Sequence, residues 1–356
     1  MNSKWINTAA ILIVILIGGF LLIYFESLFK PLVIGGLLSL ILLPVYRKLL
    51  QWRLPRFVAM TGTVLLTASL LTFLISLFST EVKHIGQELP ELLPGMERKL
   101  DDLGNIIENY SGITHDDQVG YIKNVLRDIS GNKEQLFSQL FKTAGGILSL
   151  VLSLFYMMMF LLYKDGIRRF FLMVAVRKQE QSNSIMNDIK VMMKNYFIGI
   201  ITVMLIVGIV IAGGLSLLGI KHGVFFGLLA ALLSIVPYVG IISSGIICIF
   251  YSWAGSESFW TPIIVIALYY TVQLLEGNLL TPLITGGSAK INPLATLFGL
   301  LLGSTLWGVT GMILAIPILA TTRIICDHVP EWKAIAYLIG EDLAEEKSIV
   351  SKKKKN

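Results

Sequence analysis

Long apolar stretches dominate the chain, and two of them are interrupted near the middle. Gly223–Ser256 and Ile291–Thr322 each run for about thirty residues without a charged side chain, whereas a simple membrane span needs roughly 20 apolar residues. The first is interrupted at Pro237–Gly240 and the second at Gly303–Gly311. Each is therefore predicted to be a pair of half-helices that meet at membrane depth, which is typical of transporter binding sites.

Uninterrupted apolar stretches account for the rest of the hydrophobic pattern. We assign six of them as full spans: Thr8–Phe25, Pro31–Tyr46, Phe57–Thr80, Thr143–Tyr163, Asn195–Leu218 and Ser258–Leu283. The first lacks a small-residue cleavage site and is expected to be retained as a span. The second is short and is expected to form a tight helical hairpin with the first. The predicted fold is an all-α polytopic membrane protein.

A span followed by a broken segment occurs twice in the C-terminal half, which predicts an inverted repeat of the kind found in secondary transporters. Two geometries remain open for the broken segments. They can be re-entrant hairpins, which we favour, or long kinked helices that cross fully.

Basic residues set the expected orientation. The loop from Arg47 to Arg56 carries four basic side chains and no acidic one, and such loops stay cytoplasmic. Parity then places both termini in the cytoplasm. Because the basic residues lie beside apolar spans, the net charge of +6 does not indicate nucleic acid. The expected partners are the lipid bilayer and a small-molecule or ion substrate.

Five segments follow from this pattern. They are N-terminal membrane helices (1–80), an external amphipathic helical cap (81–142), a fourth span with a cytoplasmic connector (143–194), a C-terminal transport core (195–325) and a cytoplasmic tail (326–356). The cap is acid-rich and is predicted to form two or three short helices. The connector, Val174–Lys194, either lies flat at the interface or packs under the bundle.

Glu276 is the strongest candidate for chemistry, because it is an isolated acid within the span Ser258–Leu283. A carboxylate in hydrocarbon is costly and must face a cavity, pair with another group or be protonated. Gln273 and Gly277 share its helical face. Either the acid couples transport to protons or cations, or contacts substrate, or it caps backbone groups at a hairpin tip.

The two breaks supply the remaining candidates, because broken helices free backbone groups that only protein or a water-filled cavity can satisfy. Half-helix ends also carry partial charges that can hold ions. The predicted substrate- or ion-binding residues are Glu276, Gln273, Asn278, Pro237, Tyr238, Gly240, Ser304, Thr305 and Thr310. The predicted hinge or packing residues are Gly277, Pro282, Pro293, Gly308, Gly311 and Pro317.

Other classes of site have no support in the sequence. The two cysteines lack a CxxC partner, and the four histidines have no partner at metal-ligand spacing, so neither a metal nor a cofactor is expected. The histidines are expected to be ordinary surface or interface residues. Nucleotide-binding and hydrolase motifs are missing, so the chain is not expected to be an enzyme, and its transport would be passive or driven by a gradient.

Four motifs occur in the order and spacing of a known family. They are Pro237–Gly240, Leu275–Ile284, Asn292-Pro293 and Gly308–Pro317. Together they resemble the autoinducer-2 exporter family, also called the PerM-like permeases, most specifically from about residue 195 to 322. Ile241 departs from the family, which often has proline there. The resemblance implies an oligomeric inner-membrane transporter, and members have been assigned either autoinducer-2 export or Na⁺(Li⁺)/H⁺ antiport.

Three functions follow as hypotheses. The first is a secondary transporter or exporter of a small polar solute, such as an autoinducer-2-like signal, with a path between the two broken segments and the span Ser258–Leu283. The second is a Na⁺(Li⁺)/H⁺ antiporter that uses Glu276. The third is a membrane scaffold that transports nothing, which would tolerate neutralisation of Glu276.

Overall fold

The computed structural model describes residues 3–111, 144–174, 179–237, 239–256, 258–285 and 290–341. These residues are almost entirely helical, and their only strand-like pairing is an isolated bridge between Ile291 and Gly340. The helices are α1 Ser3–Tyr24, α2 Glu26–Gln51, α3 Arg56–Ser111, α4 Ala144–Val174, α5 Gln179–Leu217, α6 Gly223–Leu233, α7 Val239–Gly255, α8 Trp260–Leu275, α9 Thr281–Thr285, α10 Pro293–Trp307, α11 Val309–His328 and α12 Lys333–Ile339. A π-helical turn, Glu276–Leu280, joins α8 to α9, and a 3₁₀ turn, Pro330–Trp332, precedes α12.

Six helical stretches in the described part of the chain are long and apolar enough to cross a membrane, which confirms the all-α polytopic fold. They are Glu26–Gln51, Arg56–Leu92, Leu148–Ile167, Asn183–Leu217, Trp260–Leu280 and Val309–His328. The first five contain or overlap predicted spans. The sixth is α11, the second half of the second broken segment, which alone has the length of a span.

The chain divides into two compact units. Unit 1 contains residues 1–66, 148–200 and 281–356, and unit 2 contains residues 67–147 and 201–280. In unit 1, α2, α3 and α4 bury a cluster around Tyr46, Met60 and Met157. A second cluster joins Met192 and Phe197 of α5 to α11.

The second broken segment, in unit 1, is a hairpin of two antiparallel helices. Gly303 of α10 faces Gly311 of α11, and a Cβ added to either glycine would collide with the backbone of the other. Farther from the turn, Gly299 lies against Ala315 and Leu319. Small residues permit this close approach of two helices. The contacts exclude a long kinked helix for this segment.

The first broken segment, in unit 2, is also a hairpin. Helix α6 has 11 residues and is therefore about 16 Å long, too short to cross a core of about 30 Å. The ring of Tyr251, near the end of α7, lies 5.3 Å from that of Phe226, near the start of α6. Both ends of the segment thus lie together, as a re-entrant hairpin requires.

Both hairpins follow a long helix, so the predicted order of span and broken segment occurs twice. Helix α5 precedes the hairpin α6–α7, and α8 with its π turn precedes the hairpin α10–α11. The inverted orientation of these repeats stays a prediction.

Two local expectations were wrong, and one of the two alternatives for the connector is excluded. Helix α3 continues through the predicted boundary at Glu81 to Ser111 without a break, and the remainder of the predicted cap, 112–142, lies outside the described residues. Residues 179–194 do not form a separate interfacial helix, because they are the first turns of α5. The expected hairpin of the first two spans is missing. Only Phe25 separates α1 from α2, and backbone hydrogen bonds continue through it.

Candidate functional site

Glu276 is the first residue of the π-helical turn that interrupts the span Trp260–Leu280. A π turn adds one residue to the helical repeat and frees backbone groups, and such turns are frequent at functional sites. The Glu276 side chain is partly buried. The isolated acid of this span therefore lies at the point where the helix departs from regular geometry.

Gln273 lies one turn before Glu276 and contacts it, as the predicted shared face requires. Its Nε2 donates a hydrogen bond to Glu276 Oε2 at 3.3 Å. The other amide atom, Oε1, is buried and has no hydrogen-bond partner among the described residues. A buried acceptor without a donor costs about 1–3 kcal/mol. This site therefore retains an unused acceptor beside a carboxylate.

The tip of the first hairpin lies against this pair. Ser234, Val236, Pro237 and Ile241 line a narrow recess together with Gln273 and Glu276. The recess leaves no volume for a water-sized sphere. All six residues belong to unit 2. The structure thus places Pro237, at the predicted break, beside Glu276. The recess between them is closed to water.

Gly240 is required at this tip for steric reasons. It is buried, and a Cβ there would collide with the carbonyl group of Leu233 and the backbone nitrogen of Ser234. Its place in the predicted site therefore has a packing explanation. Tyr238, another predicted site residue, lies outside the described residues.

Three predicted site residues follow Glu276, and one of them, Asn278, forms a hydrogen bond to a backbone carbonyl group. Asn278 is exposed, and its Nδ2 donates to the carbonyl oxygen of Leu274 at 2.9 Å. Gly277 is exposed, with open space where a Cβ would lie. Pro282 belongs to α9. Asn278 thus provides a hydrogen-bond donor to a carbonyl oxygen next to the π turn. This contact does not indicate a role in substrate binding.

The second break places its hydroxyl residues in unit 1. Thr305 is exposed, and its hydroxyl group donates to the Leu302 carbonyl at 2.8 Å. The carbonyl oxygen of Ser304 accepts a hydrogen bond from the Gly308 amide. Thr310 is partly buried. Gly308 has φ 61° and ψ −137°, a conformation that requires glycine. The substrate-binding role predicted for the three hydroxyl residues stays a prediction.

The predicted hinge prolines occupy two different settings. Pro293 is the first residue of α10, where proline is favoured, and the side chain of Asn292 caps this helix by accepting from Ala295 N at 2.8 Å. Pro317 lies inside α11 and is fully buried. Both fit a packing role.

One cluster was missed by the sequence analysis. His222 Nδ1 lies 2.7 Å from Glu81 Oε2, and its Nε2 lies 3.4 Å from both oxygens of Glu88. Lys221 and the Tyr251 hydroxyl also donate to Glu88. We call these five residues the His222 cluster. His222 is therefore an interface residue between α3 and the first hairpin. Its carboxylate partners could not be found from the sequence, because they lie more than 130 residues away along the chain.

A cavity of about 360 Å³ adjoins the His222 cluster in unit 2. Glu88, Lys221 and Tyr251 of the cluster contribute to its wall, together with Glu91, Leu218 and Ser252. This volume lies within the range of small-molecule sites. Within the described residues, no group of three or more His, Cys, Asp or Glu side chains is placed to hold a metal ion.

The family model of the AI-2E family transporter matches residues 10–331 of this chain. The chain belongs to the AI-2E transporter family. It is 26% identical over 318 residues to the putative transport protein YueF of Bacillus subtilis, covering 85% of this chain and 84% of YueF. It is 22% identical over 353 residues to the AI-2 transport protein TqsA of Escherichia coli, covering 96% of this chain and 99% of TqsA.

A third relative in the AI-2E family is the putative permease PerM of Escherichia coli, which is 24% identical over 347 residues and covers 91% of this chain and 94% of PerM. These relatives are named transport proteins and permeases, not enzymes. The expected family and the class of multi-pass membrane transporter are therefore confirmed. The scaffold and antiporter hypotheses gain no support from these names.

Proposed function

We propose that this protein is a secondary transporter that moves a small polar solute across the cytoplasmic membrane, with both termini on the cytoplasmic side. The observation that carries the proposal is the position of Glu276 in a π turn within a span, against the tip of a helical hairpin. An ionisable residue within a span marks a substrate or ion pathway by default.

The family relationship and the recess support a proposed class of solute. TqsA is named an AI-2 transport protein, so an autoinducer-2-like signal or a related small polar compound is the proposed solute. The unused acceptor of Gln273 and the carboxylate of Glu276 would receive hydrogen bonds from hydroxyl or ammonium groups of such a compound. The expected path between the two broken segments and the expected homo-oligomer stay predictions.

Closure of the recess fits alternating access. A site that admits no water in one conformation must open through movement of the hairpin tip or of the helix that bears Glu276. The π turn and Pro237 are places where the chain departs from regular helix geometry, and both border the recess. The structure would then correspond to an occluded state of this part of the path.

The test is solute flux in proteoliposomes, with a proton gradient imposed or collapsed. Glu276→Gln keeps the shape of the side chain and removes its charge, so the protein should insert normally but lose gradient-driven transport. The control is Glu331→Gln, which makes the same change at an exposed position and should transport normally. Transport by Glu276→Gln with unchanged pH dependence would refute the coupling role, and failure to insert would assign Glu276 a structural one.

A further inference from the structure

His222 is held between two carboxylates in unit 2. Glu81 and Glu88 lie seven residues apart on α3, on one face, and the imidazole ring lies between them with one nitrogen toward each. The His222 backbone is left-handed, with φ 59° and ψ 23°, which is uncommon for a residue other than glycine. Strain of this kind persists where the surrounding contacts over-determine it.

The hydrogen-bond chemistry of this arrangement requires two protons on the ring. An ionised carboxylate only accepts hydrogen bonds, and a neutral imidazole has a single N–H. Neutral His222 could donate to Glu81 through Nδ1, but its bare Nε2 would then face the oxygens of Glu88. With Glu81 and Glu88 both ionised, only the imidazolium form donates to both of them.

The other charged and polar groups around His222 belong to the turn before α6 and to α7. Lys221 and the Tyr251 hydroxyl both donate to Glu88, and the rings of His222 and Tyr251 meet edge to face with centroids 5.8 Å apart. Glu88 therefore keeps two donors when His222 is neutral. Loss of the proton weakens the contact of His222 with α3 and leaves the rest of the cluster in place.

The His222 cluster joins α3 to both ends of the first hairpin. His222 precedes α6, and Tyr251 lies in the last turns of α7. The same hairpin approaches the Glu276 recess at its other end. A change at His222 therefore acts on the element that forms the proposed site, and on the wall of the 360 Å³ cavity.

We propose that His222 is a proton-binding site, separate from Glu276, whose proton ties the start of α6 to Glu81 of α3 and whose loss loosens that contact, while Lys221 and Tyr251 keep theirs to Glu88. Imidazole protonation is a common basis of pH sensing in proteins, so the switch responds to the pH of the medium at this end of unit 2. The proposal does not depend on the identity of the solute or on the role of Glu276.

Distance measurements between two spin labels test the proposal without transport. Cysteines replace Gln87 on α3 and Val224 on α6, both exposed, in a protein whose native Cys248 and Cys326 are changed to alanine. The distance distribution is recorded by pulsed electron paramagnetic resonance in an acidic buffer at about pH 5.5 and in an alkaline buffer at about pH 8.5. We expect a narrow distribution at the lower pH and a longer, broader one at the higher pH.

Three variants separate this response from general effects of pH. His222→Gln should give the longer distribution at both pH values. Glu81→Gln, which removes one carboxylate and leaves the histidine, should reduce the response and serves if His222→Gln does not fold. His84→Gln, at an exposed position on the same helix, should retain the full response. An unchanged distribution in the parent protein, or a response that survives in both His222→Gln and Glu81→Gln, would overturn the proposal.

Discussion

Gly303 and Gly311 face each other across the second hairpin so closely that the carbonyl group of Gly303 occupies the place where a Cβ on Gly311 would lie. The turn between them is closed by Gly308, whose amide donates to the Ser304 carbonyl at 2.8 Å. Two backbones can approach to this distance only where neither bears a side chain. The three glycines of this break thus have separate roles, two in packing and one in the turn.

Gly311→Ala should destabilise the second hairpin. The added methyl group meets backbone atoms that cannot move aside, and overpacking of this kind costs about 1–3 kcal/mol. A lower thermal unfolding midpoint of the detergent-solubilised protein would show the effect. Gly213→Ala is the matched control, because Gly213 is exposed on α5 with open space around it. There alanine should be neutral or stabilising by up to about 1 kcal/mol, and an equal loss in both variants would contradict the packing role.

The two ends of the first hairpin should label from the same side of the membrane. Leu217 and Ser258 flank the hairpin and are both exposed, and the proximity of His222 to Tyr251 places the ends of α6 and α7 together. Single cysteines at these positions, in a background free of native cysteine, should react with an impermeant maleimide added to the same face of sealed vesicles. Reaction from opposite faces would mean that the segment crosses the membrane.

Orientation is tested by a second labelled pair. The basic loop that contains Gln51 is expected in the cytoplasm and the extension of α3 that contains Asp102 outside, because basic loops are retained on the cytoplasmic side. Cysteines at these two positions should therefore label from opposite faces. Labelling of both from the outer face of intact cells would refute the assignment of both termini to the cytoplasm.

The sequence predicted those features that depend on local pattern. Uncharged segments too long for one span, with proline or glycine at their centres, predicted the two hairpins. The isolation of Glu276 within a span singled it out as a site residue, although nothing in the sequence predicted the π turn there. Both signals are local because the bilayer imposes them residue by residue: it excludes charge and unsatisfied backbone groups.

Features that depend on long-range contact were missed. Pro90, Pro94 and Gly95 argue for separate short helices, yet α3 continues through all three. Its extension is held by tertiary contacts, since Lys99 Nζ donates to the carbonyl oxygens of Trp253 and Ser256 at the end of α7. The partnership of His222 with Glu81 has no local spacing to reveal it. Pairs of this kind become visible only when the fold is known.

Replacement of Gln273 and Asn278 by leucine should change the stability of the protein in opposite directions. Gln273 has a buried acceptor without a hydrogen-bond partner, whereas Asn278 donates to a backbone carbonyl group. Gln273→Leu removes a buried oxygen without a hydrogen-bond partner, and relief of such a group is worth about 1–3 kcal/mol. It also removes a long hydrogen bond to Glu276 of 3.3 Å, which offsets part of this gain. We expect a higher unfolding midpoint together with a loss of solute flux, since sites kept for function are rarely optimal for stability.

Asn278→Leu is the matched comparison on the same helical segment. It removes the 2.9 Å hydrogen bond to the Leu274 carbonyl and leaves that oxygen without its side-chain donor beside the π turn. The unfolding midpoint should fall, with flux reduced only as far as folded protein is lost. Unfolding of both variants is followed by tryptophan fluorescence in detergent, and flux is normalised to the amount of reconstituted protein. A Gln273→Leu protein that is less stable than the parent, or one that transports at the parental rate, would show that its buried oxygen is not kept for solute.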